Sequence, residues 1–425
     1  MGLIIKNASN IVTCTDSILD GIIENGYIII KDGLIKSIGT GVIPDCLCDS
    51  SSVIIDAKGK TITPGLVDCH THLIHGGSRE NELPMKLSGV PYIEILKSGG
   101  GILSTVRATR KFSKEQLKDK ALKSLNQMLI HGTTTVEAKS GYGLDFETEI
   151  KCLEAAKELN IEHPVDIVST YMGAHAIPPE YKNNSSGYIE LMFKDVMPYI
   201  KENGLAEFVD VFCEDGVFSV TESEQIMQEA KNLGFRLKIH ADEIVPLGGG
   251  ELAARMGAIS AEHLLAVSEQ GIHDMADANV TAVLLPGTSF YLMTGKFAPA
   301  RKMIEKGVRV AISTDYNPGT CPTENLQVIM TFACFGMKMT PLEIIKGMTI
   351  NAAYAIGRGN EIGSIEIGKK ADLVVFDSPN LNYIIYHFGI NHVDKVVKGG
   401  EIVVDKGILK KTITIHQKLQ RREEI

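Results

Sequence analysis

Between residues 61 and 315 the chain alternates eight times between a short Val- and Ile-rich run and a longer stretch of helical period. Few folds accept that rhythm. The expected strands are Thr61–His72, Thr133–Ser140, Val165–His175, Phe208–Glu214, Arg236–Glu243, Ile259–Leu264, Thr281–Pro286 and Arg309–Asp315. Helical stretches between them include Lys114–His131, Phe146–Asn160, Thr221–Leu233 and Pro299–Lys306. Parallel strands need long crossover connections, and helices supply them. Eight such units predict an α/β fold built on a (β/α)8 TIM-like barrel. An open doubly wound sheet would want a glycine-rich phosphate loop after its first strand, and none is present.

Both chain ends have a different texture. Leu3–Thr15, Gly26–Gly39 and Val53–Thr63 are rich in Ile and Val, with tight turns expected at Asn25-Gly26 and Asp32-Gly33. Near the other end, Ile365–Phe376 reads as a turn and a buried strand, and Val393–Lys398 with Glu401–Asp405 as a hairpin across Gly399-Gly400. Neither end can bury a core alone, so residues 1–60 and 362–410 are expected to combine into a small β-sandwich beside a barrel of residues 61–361. Residues 411–425 are expected to form a charged tail. Residues 76–113, with Gly99-Gly100-Gly101, make a long connection that is either a lid or a surface excursion.

Composition narrows the partners. The formal charge of −9 comes with no basic stripe, which disfavours nucleic acid and anionic membrane surfaces. No apolar run approaches the roughly 18 residues of a membrane helix. The N-terminus carries no signal pattern, and Lys6 stands where a myristoylation motif wants Ser or Thr. Eight cysteines are scattered through a chain large enough to have its own core, so a reducing cytoplasm is expected. Cys46-Leu47-Cys48 lacks the two-residue spacer of a redox pair or zinc knuckle. A homodimer is the expected assembly.

The C-terminal ends of barrel strands build the active site. Those ends supply His70-Thr71-His72, His175, His240 to Glu243, Glu262-His263 and Asp315, so five of the 12 histidines stand at strand ends. His70 and His72, two apart on a strand, face the same side. A buried pair satisfied by carbonyls is the bland alternative. With His240 and Asp315 at matching strand ends, the metal reading wins, and imidazoles with a carboxylate suit zinc or iron. Glu243 lies just past its strand end as a candidate proton shuttle, with Asp242 second. His263 is placed to orient water or polarise a carbonyl. Asp68, on the face of His70, is expected to support a ligand rather than to be one.

These residues carry a resemblance. Thr63 to His72, Ser313-Thr314-Asp315, Ile362 to Ile365 and Gly368 to Val374 resemble signatures of the amidohydrolase superfamily. His75 to Glu82, Lys139 to Leu144, Gly173-Ala174-His175, His240 to Glu243 and Thr314 to Thr320 are similar more narrowly to the imidazolonepropionase family of histidine degradation. The resemblance covers essentially the whole chain. It implies metal ligands at His70, His72, His240 and Asp315, substrate contacts at Arg79, Tyr142, His175 and Glu243, and product contacts at Asn317, Gly319 and Thr320. Binuclear relatives often carry a carboxylated lysine at strand four. Phe208–Glu214 has none, so one metal is expected, with Glu214 the residue to watch.

The implied reaction is metal-dependent hydrolysis of the cyclic amide of 4-imidazolone-5-propanoate to N-formimidoyl-L-glutamate. Asp315 and Glu243 handle protons, and His263 steadies the oxyanion or water. Arg79, whose planar fork suits a carboxylate, would meet the propionate arm. Its alternative is a surface ion pair with Glu80 or Glu82. Tyr142 sits between glycines that permit close backbone approach, or merely packs its loop. Two rivals stand. A deaminase of a cyclic amidine or pyrimidine would not recruit Arg79, and a non-catalytic scaffold would not keep the ligand set.

Overall fold

The computed structural model describes residues 2–15, 21–44, 51–90, 94, 98–293 and 295–410. Eight parallel strands stand side by side in chain order: β6 (Leu66–Asp68), β7 (Thr133–Lys139), β8 (Asp166–Ala174), β9 (Phe208–Cys213), β10 (Arg236–Ala241), β11 (Ser260–His263), β12 (Thr281–Leu284) and β13 (Val310–Ile312). Helices such as Lys114–Ile130, Phe146–Glu162 and Val220–Asn232 cross between them. Ser113 and Ser219 each cap a helix in a reciprocal box with the residue three on, Gln116 and Glu222, which fixes where those helices begin.

The two edge strands are joined just above their ends. The Asp315 amide donates to the carbonyl of His70 at 3.1 Å, and the His72 amide to that of Tyr316 at 2.8 Å. Asp68 bridges the same seam. Its carboxylate accepts from the Thr314 amide at 2.9 Å, from the Thr314 hydroxyl at 2.7 Å and from the Ser313 hydroxyl. The barrel is thereby closed where His70, His72 and Asp315 emerge.

The remaining strands form one nine-stranded sheet from both chain ends: β1 (Gly2–Val12), β2 (Ile22–Lys31), β3 (Leu34–Thr40), β4 (Val53–Asp56), β5 (Thr61–Pro64), β14 (Leu373–Phe376), β15 (Val393–Lys398), β16 (Glu401–Asp405) and β17 (Ile408–Leu409). It folds around its own core, which includes Ile5, Ile11, Ile28, Ile62, Val375 and Val397. Buried Lys398, on β15, is shared between Asp372 beside β14 at 2.6 Å and Asp166 of the barrel strand β8 at 2.7 Å, which ties the sheet to the barrel.

Two local expectations change. The run Thr61–His72 is not one strand. Thr61–Pro64 pairs with β1 and β14, and only Leu66–Asp68 enters the barrel. The chain crosses at Gly65, where an added Cβ would lie 2.2 Å from the Thr134 hydroxyl. Asn25-Gly26 is no turn either. It lies inside β2, opposite an irregularity in β1 between Ile5 and Ala8, so the strand continues to Lys31 and turns only at Asp32-Gly33. Within residues 76–113, the described part carries short helices at Glu80–Glu82 and Leu83–Leu87 and a longer one at Ile102–Lys111. The last is docked on the chain, since Gly76 donates to Thr109 at 2.9 Å. Cys46, Cys48 and the tail 411–425 lie outside the described residues.

Candidate functional site

The C-terminal ends of β6, β10, β11 and β13 bring four histidines and one aspartate together. Rings of His70 and His240 stand 4.6 Å apart, His70 and His72 5.6 Å, and His240 and His263 5.1 Å. Asp315 Oδ1 lies 3.5 Å from Nε2 of His70 and 3.8 Å from Nε2 of His72. Donor atoms of His70, His72 and Asp315 fall within 4.8 Å of one another, and so do those of His70, His240 and His263. His70 belongs to both groups, and His263 stands beside it and His240, at the site where it was expected to orient water or a carbonyl. Asp242, His263 and Asp315 hold positive φ angles of 49°, 69° and 56°. Such left-handed backbone is uncommon outside glycine and gathers at functional sites.

Several of these nitrogens are buried without a hydrogen-bond partner: Nε2 of His70, Nδ1 of His72 and Nε2 of His240. A buried polar atom left unpaired is costly, so each such atom calls for an occupant. Behind the rings stand carboxylates. His240 Nδ1 donates to Asp210 at 3.1 Å, and Glu262 touches Nδ1 of His70. A carboxylate on one ring nitrogen keeps the proton there and turns the other nitrogen outward as a metal ligand. The donor set therefore fits a metal ion of the kind that accepts imidazole and carboxylate.

Among the protein's own groups, charges pair across the site. Burial disfavours ionisation of Asp315, but His70 outweighs it and holds the carboxyl down to about 2, while the Thr288 hydroxyl donates to its second oxygen at 2.5 Å. Burial likewise disfavours charging His70, yet Glu262 pushes it up to about 9. Glu243 moves opposite to the Asp315 carboxyl. Burial, then the carboxylates of Asp315 and Glu214, raise its carboxyl to about 8, and its Oε1 lies 3.5 Å from His263 Nδ1.

Asp242 has another task. Its oxygens accept from the amides of Gly248, Gly249 and Gly250 at 3.0, 3.1 and 2.9 Å, so it anchors the start of the helix Gly249–Met256. Glu214 is also spent on backbone, accepting from the Asp215 and Ile244 amides, each at 2.9 Å.

Around this cluster, His175 stacks on His72 at 4.7 Å and shares its Nδ1 with the Gly141 carbonyl at 3.1 Å. Burial holds its imidazole down to about 3, so it is neutral. The Tyr142 ring lies 5.4 Å from that of His72 and 5.2 Å from that of His175. Arg79 is buried and forked onto Glu82, with donor distances of 2.9 and 2.8 Å. The expected alternative partner was Glu80 or Glu82 at the surface. The pair exists with Glu82, but inside the protein. Gly319 packs on the same guanidinium, and a Cβ there would sit 1.9 Å from Nη1. Asn317 shapes this loop, donating to the Asp315 carbonyl at 2.7 Å and accepting from the Gly319 and Thr320 amides at 2.8 Å each.

Sequence reasoning missed Thr288, Glu137, Asp210 and Lys238 and gave no role to Lys139 or Glu262; the five charged residues among these form a buried layer beneath the histidines. A signal existed. Parallel barrel strands are normally apolar on both faces, yet Glu137 and Lys139 share one face of β7, as Lys238 and His240 do on β10.

The amidohydrolase family profile matches residues 61–403. The imidazolonepropionase of Treponema denticola is 63% identical over 90% of this chain and 93% of its own. That of Alkaliphilus oremlandii is 61% identical over 91% and 92%. Among solved structures, an adenosine deaminase from Xanthomonas campestris with bound zinc superposes with a TM-score of 0.74 over 100% of this chain and 99% of its own. At 19% identity that likeness speaks for the fold alone.

Proposed function

The chain belongs to the amidohydrolase family, and from that membership we infer how its residues work. It is a metal-dependent hydrolase that opens the cyclic amide of 4-imidazolone-5-propanoate to N-formimidoyl-L-glutamate in histidine degradation. The observation that carries the reading is the set of partnerless buried nitrogens on His70, His72 and His240 beside the ionised Asp315.

Those four residues would hold one ion, zinc or iron. When bound, the ion supplies Lewis acidity that makes water a competent nucleophile near neutral pH. Asp315, ionised, takes a proton from the attacking water. Glu243, kept protonated by its buried setting, delivers a proton to the ring nitrogen as the C–N bond breaks. His263 faces Glu243 and steadies the carbonyl oxygen as it gains charge. Arg79 turns part of its fork from Glu82 to the propionate arm. Tyr142 and the neutral His175 line the ring's berth, and Asn317, Gly319 and Thr320 receive the opened product.

Arg79 favours this substrate over a cyclic amidine, because a neutral base offers it nothing. The six described cysteines are all free, five of them buried, which supports a cytoplasmic setting, where we place a homodimer. Among the described residues no helix is long and apolar enough to cross a membrane. The test is product analysis. 4-Imidazolone-5-propanoate should yield N-formimidoyl-L-glutamate, and a strong chelator should stop the reaction. Release of ammonia from a cyclic amidine, with no turnover of the imidazolone, would overturn the reading in favour of the deaminase.

A further inference from the structure

TIM-type barrels fill their interiors with branched aliphatic side chains. This one places Glu137, Asp210 and Glu262 with Lys139 and Lys238 directly under the histidines, every one of them buried. Replacing buried ion pairs by packed apolar groups is often neutral or stabilising, so stability alone does not account for five charges here. Their connections do. Lys139 Nζ lies 2.7 Å from Asp210 Oδ2, 3.0 Å from Glu262 Oε2 and 3.0 Å from Glu137. The other oxygen of Asp210 accepts from His240, and the same Oε2 of Glu262 touches His70. Lys238 reaches Glu137 at 3.1 Å and Glu262 Oε1 at 3.2 Å, away from the oxygen that touches His70. One ammonium thus ties the two carboxylates that stand behind two different histidines.

We propose that Lys139 is the shared positioning residue of the metal centre, holding Asp210 and Glu262 in one geometry so that His240 and His70 present their outward nitrogens to a single ion. The proposal rests on the ligand set given above. Three carboxylates against two ammonium groups also leave one negative charge beneath the cation, which a bound metal ion matches. Because Lys139 touches neither substrate nor ligand nitrogen directly, its loss acts through the rings. Removing such an outer partner costs 10–100-fold in metal affinity in comparable sites.

The test compares two double variants of equal charge, each measured as metal-free protein titrated with zinc against a chromogenic chelator. Lys139→Met with Glu137→Gln removes the bridge. Lys238→Met with Glu137→Gln removes the other lysine and leaves the bridge. The first should bind zinc about 10–100-fold more weakly than wild type, and the second within about threefold of it. The cobalt-loaded visible spectrum should shift in the first alone. A role confined to packing would lower both melting temperatures without separating the affinities. Equal affinities in the two variants overturn the proposal, as does failure of the first to fold while the second folds. If neither folds, the network is a folding element and the proposal falls. If wild type itself binds no zinc, cobalt or iron, the ligand assignment fails instead.

Discussion

Adjacent acids after β10 are separated by what their carboxylates touch. Asp242 is saturated by three glycine amides, while Glu243 faces His263 and the metal donors with its carboxyl raised to about 8. Glu243→Gln should therefore lower kcat by roughly 10²–10⁴ with metal content unchanged. Asp242→Asn should leave kcat within about tenfold and lower thermal stability, since it weakens a helix start worth about 1 kcal/mol. A reversal of the two profiles would exchange the roles. The same carboxyl sets a pH limb. A proton donor works below its pKa, so kcat/KM should fall as pH rises through a value at or below 8, because a bound cation draws the carboxyl down from that figure. Glu243→Gln should erase that limb, and an unchanged profile would assign it elsewhere. Arg79→Ala should reduce kcat/KM about 10–100-fold, the worth of roughly 1.5–3 kcal/mol for a charged hydrogen bond. A substrate analogue without the propionate should show almost none of that loss. Equal losses on both substrates would mean that the buried Arg79–Glu82 pair serves the loop's structure alone.

Among the elements, the seam between β6 and β13 sets the geometry of His70, His72 and Asp315. Asp68 spans it with three accepted hydrogen bonds, so Asp68→Ala strands buried donors on Ser313 and Thr314. Each stranded donor costs about 1–3 kcal/mol, and denaturant unfolding should show a loss of at least that size. A variant as stable as wild type would mean that the seam is held by the backbone bonds alone. The strands and helices themselves were legible, because hydrophobic period is local: Lys114–His131 reads as helical from its period, and the helix runs Lys114–Ile130. Pro64-Gly65 marks an interruption within Thr61–His72, but that the chain changes sheet there is decided by neighbours remote in sequence: Thr134 leaves no room for a Cβ at Gly65, and the Asp372 carbonyl accepts its amide. Asn25-Gly26 misled for a related reason. The dipeptide favours a turn, but pairing of β2 with both β1 and β3 overrides it.

At the scale of the whole molecule, the barrel explains why residues 70, 72, 240 and 315 meet. Parallel strands put all their C-terminal ends on one rim, so position along the strand stands in for position in space. That is why the rim residues could be read from the chain, while the layer below could not be ranked. Asp210 and Lys238 sit mid-strand and Glu137, Lys139 and Glu262 nearer the strand ends, and the meaning of all five depends on which strands adjoin. We propose that a single metal centre at that rim runs the ring-opening, and metal-free protein titrated with zinc or iron checks it. Formation of N-formimidoyl-L-glutamate should rise linearly and break at one ion per chain, and His70→Ala or Asp315→Ala should neither bind the ion nor turn over while remaining folded. Turnover by metal-free protein, a break at two ions per chain, or full metal occupancy in both variants would contradict the account.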